Sequence, residues 1–211
     1  MVNLEIVKID ATKIDLEKLK EVGAKIKAGA VVAYPTDTVY GLGGNPWNIE
    51  VIERILKIKR KNWEEGMPVL LANREKIKDF GEMPPIGKKI ADIFWPGQVT
   101  IVIPKHSTVP EKLSGKNDSI ALRVPNHPIT LKLIEFAGGC LIGAGANLQN
   151  QIPPSTGAGV IAQLGCDFDY LIDGGSCPRE VPSTVVSVWN DGSVEILRDG
   201  AVPAKEIFNR V

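Results

Sequence analysis

The chain has 211 residues, 44% of them hydrophobic and 24% charged, the composition of an ordinary globular protein with material for one sizeable core. Its 25 lysines and arginines balance its 25 aspartates and glutamates, which excludes a wholly basic nucleic-acid coat but leaves room for a local basic patch. No apolar run approaches the roughly 18 residues of a membrane span. The opening MVNLEIVKID carries Glu5 and Lys8 within its apolar stretch, unlike a signal peptide, so a cytoplasmic protein without membrane contact is expected.

In chain order, Asp15 is placed to cap a helix running to Lys27, with Leu16, Leu19 and Ile26 on one face and Gly29 ending it. A buried strand follows at Val31 to Tyr34. Asn48 caps a second helix with Ile52, Ile55 and Leu56 inward, ending near Lys59. PVLLA (68 to 72) reads as a strand, Pro85 to Phe94 as a helix stopped by WPG, and VTIVIP and SIALRVP as strands. In the last of these Ile120, Leu122 and Val124 share one face and Arg123 takes the other. Pro128 to Phe136 is expected to be helical, CLIGA a strand, Thr156 to Leu164 a helix capped by Ser155 or Thr156, and YLID a strand. TVVSVW and VEILR flank NDGS, a hairpin signal, and a short helix begins near Pro203.

Helices and strands thus interleave, with hairpin signals that a purely parallel sheet lacks. The expected fold is α/β: a mixed, parallel and antiparallel, twisted sheet with helices on both faces. No linker, charge block or repeat divides residues 1–211, so one domain is expected. Cys140, Cys166 and Cys177 have no CxxC spacing, and His106 and His127 are not spaced to join them, so no metal site built by protein alone is expected.

Chemistry concentrates in a few stretches. VVAYPTDTVYGLGG (31 to 44) ends a strand in Thr36, Asp37 and Thr38 and then supplies three glycines. It carries neither of the common phosphate-loop patterns. Two readings stay open: a capped turn, or a polar pocket at a strand's carboxyl end with bare backbone beside a ligand. Lys57, Lys59, Arg60 and Lys61 form either a solvated helix end or a cation cluster for phosphates. Arg123 lies either on a solvent face or half-buried beside an anion, and His127 is placed to cap the next helix. Ala144, Gly145 and Ala146 leave backbone amides unobstructed before Asn147, which suits an anion nest or an adenine contact.

Taken in order, PTDTVYGLG, the Lys/Arg run, PGQVT, LRVPNHP, the AN loop, PSTVV and ILRDG resemble the YrdC-like family, the threonylcarbamoyl-AMP synthases, from about residue 20 to 202. The resemblance implies a YrdC/RibB-like fold in its single-domain form, without the C-terminal domain of longer members. It implies condensation of L-threonine and bicarbonate with ATP, the Mg²⁺ coming with ATP, to give threonylcarbamoyl-AMP and pyrophosphate. That product would serve threonylcarbamoyladenosine formation in tRNA through a downstream transfer machinery. It further implies threonine contacts at Thr38, Arg123 and Ser183, and ATP contacts at Lys59, Arg60 or Lys61, Gly145, Asn147 and Arg198, with no catalytic residue in the covalent sense. The chain departs from the family pattern in three places. Gly145 replaces a serine, Gln149-Asn150 replaces Ser-Gly, and a lysine stands for the second arginine of a Lys-x-Arg motif, with two extra residues before Pro68. Restoring serine at 145 is expected to return a hydroxyl with little disturbance. The alternatives are a paralogue that binds tRNA or double-stranded RNA on a basic concave face with weak or no synthase activity, and a nucleotide-dependent enzyme for another small carboxylate.

Overall fold

The computed structural model describes residues 4–211, so the first three residues of the opening stretch lie outside it. The elements follow in chain order as β1 (Glu5–Lys8), α1 (Leu16–Lys27), β2 (Val32–Tyr34), β3 (Gly41–Gly43), α2 (Ile49–Lys59), β4 (Val69–Leu71), α3 (Pro85–Phe94), β5 (Val99–Pro104) and α4 (Glu111–Ser114). Then come β6 (Ser119–Arg123), α5 (Pro128–Phe136), β7 (Cys140–Ile142), β8 (Ala144–Gly145), α6 (Gly157–Leu164), β9 (Tyr170–Asp173), β10 (Thr184–Val188), β11 (Val194–Arg198) and α7 (Ala204–Arg210).

Local signals in the sequence set the helix starts. The Asp15 side chain accepts from the Lys18 amide, Asn48 from Glu50 and Val51, and Thr156 from Gly159, each satisfying amides that lack a partner in the first turn. Leu16 departs from expectation. It is exposed at the first position of α1, and Leu19, Val22 and Ile26 form the inward face. Position 16 precedes the first full turn, where the stripe has not yet come round to the sheet.

The mixed α/β architecture is as expected, with its strands divided between two sheets. One has the order β1-β9-β2-β3-β8 and the other β11-β10-β5-β6-β4-β7, each with parallel and antiparallel pairs. Alternate residues of β2 serve different cores. Val32 and Tyr34 pack with Leu19 and Ile26 of α1, Ile129 and Leu133 of α5, and Leu70 and Leu141 of the second sheet. Ala33 packs into the larger core with Ile52 and Ile55 of α2, Ile90 of α3 and Val160 of α6. Helices therefore cover both faces.

A single run of six residues joins the sheets. Residues 140–142 pair with β4 in the second sheet, and Ala144 and Gly145 pair with β3 in the first. The junction is tight: the Ile142 amide donates to Gly44 O at 3.0 Å, and the Tyr34 hydroxyl donates to Ile142 O at 2.6 Å. A Cβ on Gly43 would lie 1.9 Å from Ile142 O, so only glycine allows this approach. This crossing places the ends of β2, β6 and β10 around one space.

Candidate active site

The carboxyl end of β2 runs through Pro35 into Thr36, Asp37 and Thr38, all three buried. Arg123, at the end of β6, is 5% exposed and forms an ion pair with Asp37, itself 6% exposed. The guanidinium also donates through Nε to Gly97 O at 2.8 Å and through one terminal nitrogen to Thr38 Oγ1 at 3.1 Å. A guanidinium has five N–H donors. Two of Arg123's point to no protein acceptor, and Arg123 lines a cavity. Burial pulls the Arg123 pKa down, and Asp37 pulls it back up. The second oxygen of Asp37, Oδ2, is buried without a partner.

The hydroxyls here have a fixed polarity. Thr36 Oγ1 donates to Val39 O at 2.7 Å, so in its 3.0 Å contact with Thr38 Oγ1 the proton belongs to Thr38. Thr38 Oγ1 already accepts from Arg123 and can therefore only accept from anything else that reaches it. The site offers N–H donors from Arg123 beside an acceptor from Thr38. Behind them, the Thr36 amide donates to Cys177 Sγ at 3.4 Å, and burial pushes that thiol up to about 11. His127 starts α5 without capping it by its side chain; its Nδ1 lies 3.2 Å from Thr130 Oγ1, and burial lowers its pKa.

The basic run resolves residue by residue. Lys59, the last residue of α2, is only 4% exposed. Its ammonium donates to Gly145 O, to Asn147 O at 2.7 Å and to Asn147 Oδ1 at 3.5 Å. Burial first, and then Lys61, push its pKa down to about 8, against acceptors that favour the charged form. Arg60 takes a left-handed C-cap conformation (φ 50°), which turns the chain, and its side chain is exposed and outside the cavity. The expected ATP contact at Arg60 is therefore corrected: Lys61 is the residue that faces the site, paired there with Glu65. The helix-end reading does not hold for Lys59, because a solvated lysine would not be buried against carbonyls.

From the far side, Ser183 Oγ lies 2.8 Å from Thr100 Oγ1, and Arg198 donates to Ser183 O at 2.8 Å. Burial lowers the Arg198 pKa and the Arg123 charge lowers it further, so the two guanidinium groups feel one another. Thr38, Lys59, Lys61, Arg123, Gly145, Asn147, Ser183 and Arg198 line one cavity of about 450 Å³, a volume suited to a small ligand. Gly145 is not what sequence alone suggests. A Cβ there would stand 2.5 Å from Asn147 Oδ1, while Asn147 Nδ2 of the same side chain donates to Leu148 O at 2.7 Å and Gln151 O at 2.9 Å. A serine would displace Asn147 before offering any hydroxyl. Sequence reasoning missed Asp37 as Arg123's partner, Thr100 as Ser183's, and Glu65 altogether. Thr100 lay within PGQVT, whereas nothing marked Glu65. Among the described residues no cluster of three or more His, Cys, Asp or Glu could hold a metal, and no helix is long and apolar enough to cross a membrane.

The sequence model of the Sua5/YciO/YrdC family, described as telomere recombination, matches residues 24–200. The chain belongs to that family. Threonylcarbamoyl-AMP synthase from Pyrococcus abyssi is 33% identical over 196 residues, covering 92% of this chain and 57% of that protein. The synthase from Photobacterium profundum is 31% identical over 188 residues, covering 88% of this chain and 100% of its own length. The chain thus spans little more than half of the archaeal relative and the whole of the bacterial one. The crystal structure of P. abyssi Sua5 complexed with L-threonine superposes with a TM-score of 0.93 at 31% identity, over 98% of this chain and 61% of that one. Escherichia coli YciO, at 22% identity, shares the Sua5/YciO/YrdC fold with a TM-score of 0.86 over 98% of this chain and all of its own.

Proposed function

We propose that this chain is an L-threonylcarbamoyladenylate synthase, a nucleotidyltransferase that condenses L-threonine, bicarbonate and ATP. The observation that carries the reading is one cavity that the free N–H groups of Arg123 and the acceptor of Thr38 share with the cations Lys59 and Lys61. Two donors from a guanidinium match a carboxylate, and an acceptor-only hydroxyl matches an amino-acid N–H or O–H. That a relative, P. abyssi Sua5, forms a complex with L-threonine supports threonine as the amino acid held here.

The amine of threonine takes up carbon dioxide from bicarbonate, releasing water, to give a carbamate. A carbamate oxygen then attacks the α-phosphorus of ATP in line, the bond to the β-phosphate oxygen breaks, and pyrophosphate leaves. Such a reaction needs positioning and fixed positive charge more than a covalent partner in the protein. Arg123 and Thr38 would hold the amino acid, Ser183 would stand beside it, and Lys61 and Arg198 would take up phosphate charge. Lys59 would act by holding the 145–147 backbone in place. Magnesium would enter as the ATP complex. The product would be used for threonylcarbamoyladenosine formation in tRNA.

The test is mass detection of the adenylate from protein, threonine, bicarbonate and Mg·ATP. The expected result is a product that requires both threonine and bicarbonate, with one pyrophosphate per adenylate. Folded protein that binds ATP yet forms no adenylate would overturn the reading.

A further inference from the structure

The two departures at residues 149 and 62–67 meet in space. Glu65 ends a short 3-10 turn, Trp63–Glu65, in which the Glu64 amide donates to the Asn62 side chain at 3.2 Å. One Glu65 oxygen pairs with Lys61, and the other accepts from Gln149 Nε2 at 2.7 Å. Gln149 in turn accepts from the Asn62 backbone amide at 3.1 Å through its side chain and donates its own backbone amide to Lys59 O at 2.8 Å. The turn is anchored at its back: Lys116 pairs with Glu64, and the Met67 amide donates to Leu113 O at 2.7 Å. Glu65 lines the cavity beside Lys61, whose side chain is only 16% exposed.

Lys61 therefore meets a carboxylate before it meets any ligand. Neither oxygen of that carboxylate is idle, and its second partner, Gln149, comes from the separate 147–151 loop that also lines the cavity. An incoming phosphate must displace Glu65 from Lys61 or share the lysine with it, and sharing places two anions side by side. We propose that Glu65 is an internal counter-anion, clasped by Gln149, that competes with ligand phosphate for Lys61 and so gates the cationic end of the site. The inference rests on the reading that this end takes nucleotide phosphates. It predicts a site that holds polyphosphate less tightly than its cations alone would, and that loosens its clasp when phosphate arrives.

Inorganic tripolyphosphate, without Mg²⁺ and at low salt, isolates this term from nucleoside recognition. Titration calorimetry on Glu65→Gln is expected to show about threefold to tenfold tighter binding than the unaltered protein, since the ion pair is half-exposed and screened. The gain should vanish on a Lys61→Ala background, where there is no lysine left to contest. Gln149→Ala, which keeps the charge but releases the clasp, should tighten binding by a smaller factor. Unchanged or weaker binding by Glu65→Gln, a gain that survives Lys61→Ala, or no tripolyphosphate binding by any variant would overturn the proposal. Tripolyphosphate binding with these shifts but no adenylate formation would sink the synthase reading and leave the gate standing.

Discussion

Replacing Asp37 by alanine tests the buried pair at the centre of the site. In the intact protein the Arg123 guanidinium has three protein partners, Asp37, Gly97 O and Thr38 Oγ1, and only the first carries charge. Both members of the pair are more than nine-tenths buried, so water replaces the lost carboxylate poorly. Breaking such a pair from one side costs about 3–5 kcal/mol, because an uncompensated charge stays behind. Against the ~5–15 kcal/mol that holds a typical domain together, that is a large fraction. In urea, with a slope of about 1–3 kcal/mol per molar, the unfolding midpoint should fall by roughly 1–5 M. A second substitution separates charge from packing. Asp37→Ala combined with Arg123→Met leaves no buried charge, so the double variant should be more stable than Asp37→Ala alone by about 1 kcal/mol or more, despite losing two hydrogen bonds. The reasoning fails if Asp37→Ala loses less than about 1 kcal/mol, or if the double variant is the less stable of the two.

Gly43→Ala should destabilise by about 1–3 kcal/mol or more, measured by urea unfolding, because its methyl would meet the Ile142 carbonyl at the junction of the two sheets. Gly145→Ser should lower the melting temperature by about 2–4 °C per kcal/mol of displaced Asn147 bonding, and should slow adenylate formation rather than speed it. Lys59 has a pKa lowered to about 8, so its charge is present below that pH and lost above it. Tripolyphosphate affinity should accordingly fall as pH rises through about 8 in calorimetric titrations, and the step attributable to this residue should be missing from Lys59→Met.

What could be read from the sequence was whatever depends on near neighbours. Asp15, Asn48 and Thr156 each announced a helix by a side chain that reaches an amide two or three residues on. The strands that escaped notice lacked such a signature. In β1 only Val7 is buried, so there is no alternation to find, and β3 is Gly-Leu-Gly, whose glycines read as a loop although they allow a close backbone crossing. The division into two sheets happens at Gly143, inside what looks like one continuous apolar run. Within the site the residue types of Thr38, Lys59, Arg123 and Ser183 were legible, but their partners were not. Asp37 and Arg123 lie 86 positions apart, and Glu65 meets Gln149 across 84. The choice between Arg60 and Lys61 turned on a single left-handed residue at the end of α2, which directs one side chain outward and the next inward.

The pairing of β1 with β9, Glu5 beside Tyr170, has a consequence during synthesis. The strand β2 also waits for β9, since Val32 and Ala33 pair with Tyr170 and Leu171. At about 5–20 residues per second, a ribosome needs on the order of ten seconds between releasing β2 and releasing its partner. For that interval an apolar strand, Val-Ala-Tyr, has an open edge, and Ser183 and Arg198 of the site have yet to be made. Folding dominated by such distant pairings is slow even once the chain is complete. The nascent chain is therefore the form most exposed to wrong pairing, and substitutions that weaken this sheet should reduce the yield of folded protein before they alter the behaviour of protein already folded.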